Sequence, residues 1–269
     1  MTLDDMFDAG SVHLEGLVVA MTGAVGGIGS ALIESLHRAG STVAAFDIDS
    51  SRLDAVATEY ETRVGTFPLD VTDDRAVFAA VDAVTECYGT IDVLVNGAGV
   101  IHADHLLDLA PSTWRKIFAV NVEGAFSMSQ AVARSMLQHG LVRDGRRGLI
   151  LNISSRAATI GRPVSAAYGA SKAALDHLTM SFATALERDG IGCVSVHPGD
   201  VREGMLSYLL PAVATLEART LEDVVAERTY QSPNEFASTL LDIMRVPGLM
   251  LSGSCVHANR SITRLEREA

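Results

Sequence analysis

The chain carries few cysteines: only Cys87, Cys193 and Cys255, far apart and without a C-x-x-C pair. An odd, scattered set excludes a disulfide framework and reads as buried or inert thiols in a reducing compartment. Basic residues are outnumbered, 21 Lys and Arg against 33 Asp and Glu, for a net charge of -12. That balance argues against a nucleic-acid groove or an anionic membrane surface as partner. No window approaches about 18 uninterrupted apolar residues, so no membrane-spanning helix is expected. Met1 to Gly16 lacks a basic stretch leading into an apolar run. No secretory leader is therefore expected, and a cytoplasmic location is. Internal repeats, low-complexity tracts and long linkers are also missing, which points to one domain. The sequon at Asn152-Ile153-Ser154 falls in an expected buried strand and is discarded.

What is present is apolar and periodic. Hydrophobic residues make up 48% of 269 positions, enough to bury a large core. Apolar runs at Leu17–Met21, Thr42–Phe46, Val64–Leu69, Ile91–Val95, Leu149–Ile153, Ile191–Val196 and Leu249–His257 read as strands. Helical patterns alternate with them: one closes at Arg38, one runs from Asp73 to Tyr88, and two long ones cover Pro111–Gln138 and Ala166–Asp189. Asp49 or Ser50 can cap the helix after the second strand. Short, wholly apolar strands between helices predict an α/β fold: a Rossmann-type, doubly wound, parallel seven-stranded sheet with helices on both faces. Residues 203–232, helical in pattern and without a strand partner, are expected to form a substrate lid within the single domain 1–269.

The chemistry-bearing residues all fall at or just after strand ends, where ligands bind in such sheets. Gly23, Gly27 and Gly29 punctuate the turn after the first strand, where glycines admit a pyrophosphate and a helix N-terminus meets it. A plain turn is the competing reading. Asp47, about twenty residues on, can accept both ribose hydroxyls of an adenosine and repel a 2′-phosphate, which favours NAD over NADP. No Lys or Arg lies within Thr22–Gly29 to bind such a phosphate. Asp70, at the end of the third strand, either accepts from adenine or caps beside Thr72. Further along, Tyr168 and Lys172 stand one helical turn apart on one face. An ammonium beside a phenol favours the phenolate, which suits the pair to proton exchange with an alcohol or carbonyl.

These residues resemble the short-chain dehydrogenase/reductase family, in its single-domain, NAD-preferring branch, from Leu14 to about Asn259. The resemblance rests on the motifs Thr22–Gly29, Asn96–Gly99, Asn121, Asn152–Ser155, Tyr168 with Lys172, and Pro198–Val201. It implies a hydride transfer between NAD and a secondary alcohol or ketone, by a tetrad of Asn121, Ser155, Tyr168 and Lys172. Tyr168 would exchange the proton, Ser155 would hold the substrate oxygen, Lys172 would tune Tyr168 and bind the nicotinamide ribose, and Asn121 would anchor a water. Gly23, Gly27, Ile28, Gly29, Asp47, Asp70, Val71, Asn96, Ala98, Tyr168, Lys172, Pro198 and Val201 would contact NAD. The family precedent also implies a homotetramer or homodimer through the two long helices.

The sequence departs from the family pattern in three places. Gly97 stands for a usual asparagine, Glu203 for a threonine that contacts the carboxamide, and Asn259-Arg260-Ser261 for Asp-Gly-Gly. Arg156, Arg162 and Arg202 follow site strands, and one of them is a candidate to meet an anion or polyol on the substrate; solvated loop arginines are the competing reading. His102-Ala103-Asp104-His105 lacks a third ligand at useful spacing, so no metal is expected. Trp114 and the methionines read as core or lid packing. Two other activities compete with a dehydrogenase. One is a catalytically idle NAD-binding sensor or scaffold, which has no need of a tuned phenol. The other is an epimerase, for whose substrate domain the C-terminal part is short.

Overall fold

The computed structural model describes residues 2–4, 6, 12–138, 145–162, 164–201 and 205–265. Its strands are Val18–Thr22 (β1), Thr42–Asp47 (β2), Val64–Pro68 (β3), Val93–Asn96 (β4), Gly148–Ile153 (β5), Ile191–His197 (β6), Asp200–Val201 (β7), Tyr230–Gln231 (β8), Ser254–His257 (β9) and Ile262–Arg264 (β10). Its α-helices are Gly27–Arg38 (α1), Ser50–Glu59 (α2), Asp74–Tyr88 (α3), Pro111–Phe118 (α4), Ala125–Leu137 (α5), Ala166–Leu186 (α6), Met205–Leu216 (α7), Leu221–Ala226 (α8) and Pro233–Arg245 (α9). The large sheet runs β10-β9-β6-β5-β4-β1-β2-β3, and β7 pairs separately with β8. All its pairings are parallel except β10 with β9. Strand order reverses at β1, which is flanked by β2 and β4. A crevice therefore opens at the carboxyl ends of β1 and β4.

Alternation along β1 explains the layers. Val19 and Met21 face a core with Leu32 and Leu36 of α1 and Phe236 and Leu240 of α9. Val18 and Ala20 face the other, with Val77 and Val84 of α3 and Met128 and Met136 of α5. Side chains of period two on the strands thus meet helical stripes on both faces.

The parallel seven-stranded sheet is present, and the structure adds to it. An antiparallel edge strand, β10, makes the large sheet eight-stranded. The last parallel strand begins at Ser254, because Leu249–Gly253 forms turns. Helix α9 was not anticipated, although Ser232 and Glu235 close a capping box at its start. The expected Pro111–Gln138 helix is interrupted by a π-helical segment, Ala119–Gly124. Within the expected lid, α7 and α8 share a small core of Leu209, Leu210, Val213 and Val224 with Val164. Its end is not strandless as expected, since β8 pairs with β7. Glu203 and Arg202 lie outside the described residues. Trp114 belongs to neither core nor lid: it is exposed on α4, stacked on Phe118 at 4.8 Å.

Candidate active site

The turn from β1 into α1 requires glycine at two places. Gly23 has φ +70°, and a Cβ there would come within 2.7 Å of the Gly97 carbonyl oxygen. A Cβ at Gly29 would collide with the carbonyl oxygen of Gly23. Gly27, by contrast, faces open space with nothing within 4 Å. Gly26 gives α1 no side-chain cap, so the first turn keeps N–H groups for a ligand, as a pyrophosphate cradle requires. Asp47 braces this turn, accepting from Val25 N at 3.1 Å and from Asp49 N at 3.1 Å. Asp49 itself caps α2 by accepting from Arg52 N. Each carboxylate oxygen of Asp47 keeps a lone pair for a ribose hydroxyl.

Thr22 Oγ1 accepts from Gly97 N at 3.2 Å and Ala98 N at 3.1 Å, joining the ends of β1 and β4. A Cβ at position 97 would stand 2.7 Å from the Thr22 carbonyl oxygen, which gives the glycine found there a steric reason. Asn96 turns its side chain into the core, donating to Ser129 Oγ at 2.9 Å and Asn152 Oδ1 at 2.8 Å. Asp70 shapes the turn before α3, accepting from both Thr72 N and Thr72 Oγ1. Val71 is buried against Gly124 in the π segment.

Helix α6 presents Tyr168 and Lys172 to the same cleft, with Ser155 entering from the end of β5. The Lys172 ammonium donates to the Ile153 carbonyl at 2.8 Å and lies 5.7 Å from the centre of the Tyr168 ring. Burial pulls Lys172 down to about 8, while the Asp176 carboxylate works to raise it. Burial also pushes the Tyr168 phenol above its ordinary value, opposed by the adjacent Ser155 hydroxyl and the Arg162 guanidinium. This corrects the expectation that Lys172 makes the phenol acidic: the low-dielectric site disfavours both charged forms, and the cation acting on the phenol is Arg162. A phenol held neutral is a proton donor, the role a carbonyl reduction needs. Asn121 is buried in the π segment, accepting from Val100 N at 2.8 Å and donating to Val100 O and Ser171 Oγ, both at 3.0 Å. A Cβ on Gly99 would lie 3.4 Å from Asn121 Oδ1 and 3.6 Å from Lys172 Nζ, so only a hydrogen separates these two groups from that position.

One continuous cleft is lined by Gly23, Gly27 and Ile28 at one end and by Ser155, Tyr168 and Lys172 at the other. Pro198 and Val201 line it below, and Met205, Leu206 and Leu209 of α7 above. The profile described as short chain dehydrogenase matches residues 17–213. The chain belongs to that family. It is 35% identical over 190 residues to sorbitol dehydrogenase of Cereibacter sphaeroides, covering 71% of this chain and 72% of that one. It is 35% identical over 204 residues to 2-keto-3-deoxy-L-fuconate dehydrogenase of Xanthomonas campestris, covering 76% of this chain and 64% of that protein. Among solved structures, 3-ketoacyl-(acyl-carrier-protein) reductase from Brucella melitensis, complexed with NADH, superposes with a TM-score of 0.81 at 25% identity, covering 92% of this chain and 99% of that one. The protein is thus a short-chain dehydrogenase/reductase, an oxidoreductase for alcohol or ketone substrates that uses a nicotinamide cofactor.

Sequence reasoning about this short-chain dehydrogenase missed the polar group behind the ammonium. Asp176, one turn after Lys172, accepts from Ser195 Oγ at 2.5 Å and pairs with His197 Nε2 at 2.9 Å. Both partners are buried on β6, and His197 directly precedes Pro198. The i, i+4 spacing from Lys172 was the signal available. His197, Cys255 and His257 also gather, with ligand atoms within 4.8 Å of one another. That spread is wider than the roughly 3.3–3.8 Å between ligands around tetrahedral zinc. His197 is committed to Asp176 and His257 to Thr263, and burial holds the Cys255 thiol protonated. Of the loop histidines, His102 bonds Asp104 at 3.1 Å and the Tyr208 hydroxyl of α7 at 3.3 Å.

Proposed function

We propose that the protein is an NAD(H)-dependent dehydrogenase that interconverts a secondary alcohol and a ketone, on a polyol- or hydroxy-acid-like substrate. The observation that carries this reading is the single cleft joining the glycine turn to Tyr168, Ser155 and Lys172. The turn fits a dinucleotide: Gly27 leaves space, α1 lacks a side-chain cap, and Asp47 braces the loop. A nicotinamide held there would supply the hydride chemistry, the hydrogen passing to or from the carbinol carbon with both its electrons. Ser155 holds the substrate oxygen, and Tyr168 supplies a proton in reduction as the phenol and takes one in oxidation as the phenolate. Lys172 binds the nicotinamide ribose and passes the proton on towards Asn121. Gly23, Gly27, Ile28 and Gly29 cradle the pyrophosphate. Asp47 would take the adenosine ribose, Asp70 and Val71 the adenine, and Pro198 and Val201 the carboxamide, while Asn96, its side chain turned into the core, and Ala98 would meet NAD through their backbone. No step needs a metal.

The absence of Lys and Arg from Thr22–Gly29, with the carboxylate of Asp47 at its side, supports NAD over NADP. Residues 203–232 act as the lid of a single domain, α7 covering the cleft with apolar side chains. The protein works in the cytoplasm, an assignment supported by scattered free cysteines, and among the described residues no helix is long and apolar enough to cross a membrane. Exposed Phe126 on α5, beside Phe182 of α6 at 6.0 Å, supports a homotetramer or homodimer through these helices.

The test is a panel of secondary alcohols and ketones followed by NADH absorbance. Tyr168→Phe should cut turnover by about 10²–10⁴-fold while NADH still binds. Persistent turnover in that variant would remove Tyr168 from its role. Equal kcat/KM with NADPH would remove the one given to Asp47.

A further inference from the structure

The substrate end of the cleft is positively charged in a chain whose net charge is -12. Arg156 and Arg162 both line it, and neither guanidinium has a hydrogen-bond or ion-pair partner among the described residues. Among the described residues the one carboxylate of this wall, Asp200, pairs with Arg228 at 2.7 Å. Arg162 is half-buried and lines the cleft together with Tyr168 and Ser155. Burial and the neighbouring guanidiniums of Arg228 and Arg156 all disfavour its charge, with Asp200 as the counterweight. A second unmet group stands close by. Ser165 lines the same wall and is 2% exposed. Its hydroxyl has no hydrogen-bond partner among the described residues.

A partly desolvated, unpaired guanidinium is unfavourable until an anion joins it. A planar fork of N–H donors suits a two-oxygen group. Resting on the oxidoreductase reading above, we infer that Arg162 binds the carboxylate of the substrate, with Arg156 adding charge, so that the enzyme acts on a hydroxy acid and its oxo acid. The acid lies across the cleft with its carbinol oxygen at Ser155 and Tyr168 and its carboxylate towards Arg162. The redox balance is that of any secondary alcohol: the hydride leaves the carbinol carbon for the nicotinamide, the hydroxyl proton goes to Tyr168 in its phenolate form, and the carboxylate keeps its charge throughout. A neutral polyol could accept from these guanidiniums but would bring no charge to offset theirs.

The experiment compares short 2- and 3-hydroxy acids with the methyl esters of the same acids, as the ratio of their kcat/KM values in the full-length protein. Wild type should favour the acids. Arg162→Ala should lower the acid-to-ester ratio about 100-fold. Arg162→Lys, keeping charge without the fork, should fall between the two, and it carries the comparison if the alanine variant shows no melting transition. A readout independent of turnover is thermal unfolding with oxalate. Oxalate should raise the midpoint of wild type and not that of Arg162→Ala. Preference of wild type for the esters, equal losses for acid and ester in the variants, or stronger protection by inorganic phosphate than by oxalate would overturn the inference. The two readings fail separately. Oxalate protection without NADH formation from any compound would leave the anion site and remove the dehydrogenase. Turnover of neutral alcohols without oxalate protection would do the reverse.

Discussion

On the β1 side of the cleft, backbone lies on backbone: Gly23 abuts Gly97, and Gly29 abuts Gly23. On the β6 and β9 side, charged and polar side chains do the holding. Asp176 ties α6 to Ser195 and His197, Arg228 ties β7 through Asp200, and Arg260 ties the sheet edge to Asp4 and Asp242. The nucleotide half must fit one ligand whose shape never varies, so it can be built from contacts that tolerate no side chain. The substrate half reads charge. Its groups titrate, respond to salt and tolerate replacement, so the two halves should fail differently when disturbed.

The largest effect should come from the half without side chains. Gly29→Ala places a methyl on the Gly23 carbonyl, and overpacking of this kind costs about 1–3 kcal/mol. The turn must move, so NADH affinity should drop by about 5- to 150-fold by fluorescence titration, and neither salt nor pH should restore it. Near-native affinity in that variant would show that the turn is softer than its contacts imply, and the contrast between the halves would weaken.

An intermediate effect should come from Asp176→Asn, which keeps the shape and removes the charge. The folded-state value of Lys172 is depressed to about 8, and Asp176 is what raises it. Removing that carboxylate lowers Lys172 further. Carbonyl reduction needs the ammonium protonated and is lost as pH rises through that value. The alkaline limb of the reduction profile should therefore move to lower pH by about one unit in the variant, with kcat at acidic pH reduced much less. An unmoved limb would make Asp176 a packing residue only. Alcohol oxidation runs the other way: with the Tyr168 phenol held above its ordinary value, its rate should keep rising into the alkaline range.

The same contrast decides what the sequence could reveal. Glycines at Gly23 and Gly29 and the Tyr168–Lys172 spacing are local patterns, and local patterns survive in one dimension. Helix α9 was legible in principle from Ser232 and Glu235, but its burial on α1 is a long-range fact. The π segment around Asn121 has no local signature, because it depends on the grip of Asn121 on Val100. The environment of Tyr168 was misread for a physical reason. Spacing along a helix reports which charges are near, not how much water has been excluded, and here burial outweighs the neighbour. Likewise, the pairing of Arg228 with Asp200, which Arg162 must share as its counterweight, joins residues 28 apart.

The smallest effect should come from Arg260, where the family pattern has glycine. Arg260 sits at φ +63°, in the left-handed region, at a cost of about 1–2 kcal/mol for a residue with a Cβ. In return its guanidinium donates to Asp4 Oδ1 at 2.6 Å and Asp242 Oδ2 at 2.9 Å, the second of these on α9. Asp4 is 66% exposed, so its share is small and screened. Arg260→Ala loses the ion pairs and keeps the strain; Arg260→Gly loses the pairs and relieves it. The glycine variant should therefore be the more stable of the two by about 1 kcal/mol in urea unfolding, with wild type at or above it in low salt. Raising the salt should narrow the gap between wild type and glycine while leaving the alanine–glycine gap unchanged, because only the first is electrostatic. An alanine variant as stable as glycine would mean that the backbone at this edge relaxes out of the left-handed region once the guanidinium is gone. The charges would then hold the geometry as well as the stability of this half, as the Asp47 carboxylate does for the glycine turn on the nucleotide side.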